Sequence, residues 1–337
     1  MVRVLHLLPG RMDFCAQRAA ALLQRASLDD VEIVTRPVGD GAAGLLLRSF
    51  PKLRREIAGA DAVHVWNLSS LVLAGLGSAR KIIHSPTEMP GARALRWLPR
   101  MVRRWPVHVV CEAESQRKKL IAIGLPADRC HVIVPGVELL LRQRDRQLRE
   151  ELSLADDELV VLAPGESTHA AGHRYAIWAT AILQVLDRRW RALVWGRGKE
   201  TDRVARLVSD FGQSDLLCVA ERKLGRRIEF ESLLGAADFA LLTPGDGASM
   251  LPAVLCAASG LPIIRWPHEA FDDIIPSDAA AASVPRRRPA QLAQKLMGLA
   301  EDRSACEAAI ESALQHARST LGVDRFIQAY RDLYCGK

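Results

Sequence analysis

At 337 residues the chain is too long for one ordinary small domain and comfortable for two. Hydrophobic residues make up 49% of it and charged residues 25%, which excludes a disordered or fibrous chain and fits a globular one. A net charge of +7 and a pI near 9.2 suit an anionic ligand, a nucleotide or an anionic membrane face, and do not choose among them.

Val2 to Leu8 is a β-branched and Leu-rich run stopped by Pro9-Gly10, which predicts a first strand. Ala16 to Arg25 has helical spacing, Val31 to Val34 reads as a second strand, and Leu45 to Ile57 as a second helix. Strands follow at Ala62 to Trp66, Lys81 to His84, Val107 to Val110 and His131 to Val134, with helices predicted at Leu71 to Leu76 and Ser115 to Ile123. Six strands alternating with helices argue for a parallel, doubly wound sheet. The charged segment Leu139 to Glu151 has little apolar periodicity, so it reads as an exposed helix linking two domains.

The alternation then restarts, with strands at Leu159 to Ala163, Ala192 to Trp195 and Leu216 to Val219 and helices at Tyr175 to Leu186, Thr201 to Phe211 and Ile228 to Ala236. The stretch from Asp238 to Ile264 is the most informative. An apolar run, Phe239 to Leu242, ends at Thr243-Pro244-Gly245-Asp246-Gly247, which reads as a turn; a helix follows to Ser259, Gly260 stops it, and Leu261 to Ile264 opens another strand. This is a βαβ unit with a polar turn at the carboxyl end of its first strand, where open α/β sheets bind ligands. A loop region is expected from Ile264 through Pro289, with a strand-like piece near Ala282 to Val284. Helices at Gln291 to Ala300, Cys306 to Thr320 and Val323 to Tyr334 close the chain. The fold class is α/β: two Rossmann-like doubly wound domains facing a cleft, residues 1–153 and 154–337, with the last helix able to pack back on the first domain. Seven cysteines with no CxxC pair imply reduced thiols in the cytosol. The opening run is too short for a signal peptide, and no stretch approaches the roughly 18 apolar residues that span a bilayer.

The Asp238–Ile264 layout resembles the signature region of the retaining GT-B glycosyltransferases of family four (glycosyltransferase group 1). Pro244, Asp246-Gly247 and Ala258-Ser259-Gly260-Leu261-Pro262-Ile263-Ile264 match its pattern, with Asp246 standing where a first Glu belongs. The second Glu falls near Val254 or Leu255 and is missing. Pro135 to Glu138, Gly165, Gly172-His173, Val194 to Gly198 and Leu233 to Asp238 resemble further family motifs in order and spacing, and the first half matches less well.

The resemblance implies a nucleotide-diphosphate sugar held on the second domain as co-substrate, with no metal and no other cofactor. The leaving diphosphate gathers charge that helix amides and cations can stabilise. It points to Asp246, Gly247, Ala248 and Ser249 as the donor cradle; an ordinary βα turn also favours Asp and Gly. Gly165 opens a second loop, in which the family's Arg and Lys are replaced by Glu166 and Ala171. Arg174, His169 and His173 are the cations left to take their place, and Arg174 is the candidate because its donor fork suits phosphate. Gly196-Arg197-Gly198-Lys199 is a weaker phosphate-loop candidate, since a lone GxG is common. In the first domain, Gly10 stands where the family has a Gly pair beside the diphosphate, with Arg11 next to it. His84 stands where a family His faces the sugar, with Glu88 nearby, and each has an ordinary structural alternative.

Arg93, Arg96, Arg100, Arg103 and Arg104 are interleaved with Leu95, Trp97, Leu98, Met101, Val102 and Trp105. Such a segment suits an anionic membrane surface on the inner face of the membrane, and it equally suits a solvated face. Pro99 argues against one long regular helix. Aromatic residues are too few to suggest base stacking on nucleic acid. The reading is a glycosyltransferase acting on a glycan or lipid-linked acceptor, cytoplasmic or peripheral to the membrane. Its alternative is a non-catalytic relative that has lost donor-binding groups. A nicotinamide-dependent oxidoreductase is a poor reading, since no GxGxxG follows the first strand.

Overall fold

A computed structural model describes residues 1–26, 30–39, 50–89, 91–139, 141–213, 215–245, 247–275 and 282–336. The chain forms two compact units, Met1–Gly136 with Val323–Lys337, and Val137–Gly322. The division therefore falls at Gly136/Val137, ahead of the expected 153/154, and the closing helix belongs to the first unit.

The first unit is built on β1 (Val2–Pro9), β2 (Val31–Val38), β3 (Ala62–Val65), β4 (Ile82–His84), β5 (Val107–Cys111) and β6 (Cys130–Val132). All pairings are parallel, in the order β2-β1-β3-β4-β5-β6. Side chains alternate between the faces of the sheet. Leu5, Leu7, Val63, Val65 and Ile82 meet Leu98 and Val102 on one face. Val4, Ala62, Ile83 and Val110 meet Phe326, Tyr330 and Tyr334 of the closing helix Val323–Cys335 on the other. Strand order reverses between β1 and β3, so the loop beginning at Gly10 leaves the sheet at a switch point.

The second unit has β7 (Leu159–Leu162), β8 (Trp190–Val194), β9 (Leu217–Val219), β10 (Phe239–Leu242), β11 (Ile263–Arg265) and β12 (Ala282–Ser283). They pair in parallel in the order β12-β11-β10-β7-β8-β9. Val161, Ala192, Leu241 and Ile264 pack with Ile177, Leu183, Leu292 and Leu296 in one core. Here the order reverses between β7 and β10, which places the loops after these two strands at the crevice where α/β sheets bind ligands.

Four expectations need correction or completion. The segment Leu139 to Glu151 is not an exposed linking helix: among its described residues only Arg146–Glu151 is helical, and Leu148 and Arg149 are buried. Arg149 donates to the carbonyls of Ala236 (2.9 Å), Ala155 (2.6 Å) and Glu158 (2.8 Å) and pairs with Asp238 at 3.2 Å. These partners give a buried cation what it loses on leaving water. Pro99 does not break its helix, which runs from Ala92 to Arg104. One missing N–H is outweighed by core contacts of Leu98 and Val102 on either side. The loop after β11 contains a helix, Glu269–Ile274, anchored by buried Phe271 and Ile274. The helix expected from Leu45 begins among the described residues at Phe50 and runs to Gly59; residues 45–49 lie outside them.

Candidate functional site

Three loops leave the carboxyl ends of β7, β8 and β10, and hydrogen bonds stitch them together. Ser167 N donates to Arg197 O (2.7 Å), Glu200 N to Ser167 O (2.8 Å) and Gly245 N to Ala170 O (2.6 Å). Thr243 Oγ1 donates to Gly172 O at 2.9 Å. Such backbone approach leaves no room for a side chain at two points. A Cβ on Gly172 would lie 1.9 Å from Thr243 O, and one on Gly198 2.4 Å from Ser167 O. Both residues also sit at positive φ, +69° and +106°, which glycine adopts at little cost.

His173 braces this cluster from inside. Its Nε2 lies 3.0 Å from Pro164 O and its Nδ1 2.9 Å from Ser167 Oγ. A carbonyl only accepts, so Nε2 carries the proton and Nδ1 accepts from the serine. Burial pushes the imidazole down to about 4 against the pull of Pro164 O, so His173 is a neutral strut at pH 7 and is not available as a replacement cation.

At the turn after β10, Asp246 lies outside the described residues. Gly247 and Ser249 are half-buried and Ala248 is buried. Ser249 Oγ accepts from Leu251 N (3.3 Å) at the start of the helix Leu251–Ser259. Gly165 is buried, and a Cβ there would lie 2.7 Å from the Pro252 ring of that helix. The Pro244 carbonyl accepts from Trp266 Nε1 (2.8 Å) and from Arg286 (3.2 Å). Arg286 was not singled out from sequence, although a run of three arginines, Arg286 to Arg288, directly after a strand-like piece was visible there. Val254 and Leu255, where the resemblance puts a second Glu, are sealed in apolar surroundings.

The other basic candidates have partners. Arg197 pairs with Glu221 at 2.8 Å and lies over the Trp195 ring at 4.3 Å, beside half-buried Gly196, so its charge is already matched. Arg174 is exposed; it stacks on Tyr175 at 4.7 Å and donates to that hydroxyl at 3.1 Å.

In the first unit Gly10 is exposed at the end of β1, and Asp13 beyond it accepts from Ala16 N (2.9 Å) and Thr87 Oγ1 (2.7 Å). His84 pairs in register with Val65 and Val109 and shares their face of the sheet. It is fully buried, and burial pushes its imidazole down to about 4, so it is neutral at pH 7. On the opposite face a chain of buried groups was not foreseen. Tyr330 donates to Ser85 Oγ (3.0 Å), so the serine proton is directed to His64 Nε2 (2.8 Å). His64 Nδ1 then donates to Tyr334 (2.7 Å), whose own proton points to His6 Nε2 at 3.1 Å. One consistent proton direction thus fastens the closing helix to β1, β3 and the end of β4.

Residues 4–139 match the family model for Glycosyltransferase Family 4. The whole chain superposes on Anabaena HepE, solved in complex with UDP and glucose, with a TM-score of 0.84 at 14% identity over 100% of both chains. Sucrose-phosphate synthase from Thermosynechococcus elongatus gives 0.75 at 15% identity, again over 100% of both chains. WaaG, a glycosyltransferase involved in lipopolysaccharide biosynthesis, gives 0.74 at 14% over 100% of both. The family match falls on the first unit, and the fold of the whole chain is that of the GT-B glycosyltransferases. At these identities the structural likeness is one of fold, and no curated protein matches the sequence. Among the described residues of this GT-B chain, no group of three or more His, Cys, Asp or Glu side chains is placed to hold a metal ion. No helix among them is long and apolar enough to cross a membrane. On the helix Ala92–Arg104 all five arginines are exposed and Arg100 lies over Trp97 at 5.1 Å. Its Leu95, Leu98, Met101 and Val102 are spent on the core of the first unit, which leaves Trp97, 60% exposed, as the large apolar group facing out.

Proposed function

We propose that this protein is a glycosyltransferase that takes its sugar from a nucleotide-diphosphate donor and passes it to a glycan or lipid-linked acceptor, with retention at the anomeric carbon and without a metal. The observation that carries this reading is the stitched loop cluster at the switch point of the second sheet, where backbone bonds join Ser167 to Arg197 and Glu200 and Ala170 to Gly245. Amides held in place by a rigid cluster are preorganised for the charge that develops on a departing diphosphate. Arg286, which already reaches the Pro244 turn, and Arg174 are the cations proposed to serve the phosphates, with Gly10 on the first unit. Asp246 is proposed to act toward the sugar, whereas His84, sealed in the core of the first unit, is a neutral structural group. HepE was solved with UDP-glucose, so UDP-glucose is the first donor to try. The exposed arginines of Ala92–Arg104 with Trp97 are proposed to rest on anionic lipid at the cytoplasmic face.

A second reading, a donor-free scaffold, is favoured by Val254 and Leu255 in place of a carboxylate and by Glu166 and Ala171 in place of cations. Calorimetry with UDP-, GDP- and ADP-sugars separates the two. One family of donors should bind, and Arg286→Ala should weaken it roughly tenfold or more, the loss of one charged hydrogen bond, with the melting temperature nearly unchanged. Binding of no nucleotide at all would leave the scaffold reading standing.

A further inference from the structure

A cavity of about 530 Å³ opens in the second unit between the Thr168–Arg174 stretch and the helix Thr201–Asp210. That volume is in the range of small-molecule sites. Nothing from the Pro244–Ser249 turn lines it, and of the donor residues proposed above it shares Arg174 alone. Its chemistry is mixed in a particular way. Arg203, Arg206, Leu207 and Asp210 recur at one-turn spacing along a single face of the helix, and His169 and Arg174 stand opposite. Val204 and Leu207 give an apolar strip beneath. Arg203 is matched by Glu200 at 3.2 Å, and Arg174 is steadied on the Tyr175 ring at 4.7 Å. Arg206 and the His169 ring have no ion pair or hydrogen bond among the described residues.

An apolar strip flanked by carboxylates and guanidinium groups complements a sugar ring, whose C–H face packs while its hydroxyls donate to Glu200 and Asp210. The unmatched cation at Arg206, with Arg174 across from it, calls for one anionic group on that ring. We propose that this cavity is a second ligand site, taking a hexose that carries a single anionic group, either a phosphate or a carboxylate. Thr168 and Gly172 belong to both the cavity wall and the stitched loops, so a bound ligand would also brace the donor loop from behind.

Isothermal titration of the whole chain with glucose 1-phosphate, glucuronate, glucose, inorganic phosphate and UDP tests this. Glucose 1-phosphate or glucuronate should bind saturably and more tightly than glucose or phosphate, and which of the two binds identifies the anionic group. Arg206→Glu should weaken that binding by at least about tenfold, with UDP affinity and melting temperature unchanged. Arg203→Gln, on the same exposed face, should weaken it less. The proposal falls if neither sugar binds, if phosphate alone binds as well, if Arg206→Glu has no effect, or if UDP displaces the sugar one for one. Failure of UDP to bind would count against the donor reading and leave this site unaffected.

Discussion

Histidine carries much of the polar chemistry buried in this protein. Burial pushes His6 down to about 3 and His84 and His173 to about 4. His64 is held well below the usual range by burial first and by its neighbours His6 and His84 second. In an unfolded chain the same groups titrate near 6.5. Above that pH both states are neutral and these residues contribute no pH dependence. As pH falls from about 6.5 toward 4 the unfolded chain binds protons that the folded one refuses, so stability falls with pH through that window. Each such histidine removes about 1.4 kcal/mol per pH unit below its unfolded value until its folded pKa is reached. The urea midpoint should hold steady from pH 8 to 7 and drop progressively from pH 6 to 4.5, less steeply in a His84→Met variant. A midpoint flat between pH 7 and 5 would contradict the burial assigned to these rings.

At the scale of elements, what the sequence made legible was local. The apolar runs between Pro and Gly stops give the central strands, because a strand buried on both faces needs only a continuous apolar stretch, while the edge strand β2 runs on through Thr35-Arg36-Pro37 to Val38, beyond the Val31–Val34 expected. The turn at Pro244 and the Gly-rich turns at Gly165 and Gly196 were legible for the same reason, and with them the place of the candidate site. What was not legible is which charges are already matched. Arg197 looks like a phosphate ligand until Glu221, remote in sequence, is found at 2.8 Å. His173 looks like a spare cation until its two nitrogens are found in use. Arg149 is the sharpest case, since a charged stretch reads as exposed when nothing shows the Asp238 and carbonyl partners waiting for it. Replacing Arg149 with Met keeps much of the volume but leaves Asp238 with fewer partners, Val160 N at 2.8 Å and Arg144 at 2.7 Å. Breaking a buried pair costs about 3–5 kcal/mol, and that loss is expected in the unfolding of the second unit. A loss under about 1 kcal/mol in urea titration would mean that the pair only offsets its own desolvation.

At the scale of the molecule, the consequential pairing is between the two ends of the chain. Phe326, Tyr330, Leu333 and Tyr334 of the closing helix complete one face of the first sheet, packed with Val4, Leu23, Ala62, Ile83 and Val110. The hydrogen-bonded chain from Tyr330 to His6 adds polar contacts that only this helix can satisfy. Burying a large apolar side chain contributes about 1.5–3 kcal/mol, so four of them carry roughly 6–12 kcal/mol, an upper figure. A whole domain is stable by only about 5–15 kcal/mol. A chain ending at Gly322 should therefore lose the first unit as a cooperative structure, because its sheet would expose an apolar face and leave His6, His64 and Ser85 without their tyrosine partners. The second unit, Val137–Gly322, keeps a core made entirely of its own residues and should still melt cooperatively. Scanning calorimetry of the shortened chain is expected to show one transition with roughly half the enthalpy of the full protein, since unfolding enthalpy scales with the residues that unfold. A first unit that still melts cooperatively in that variant would show that the helix decorates the sheet and does not complete it.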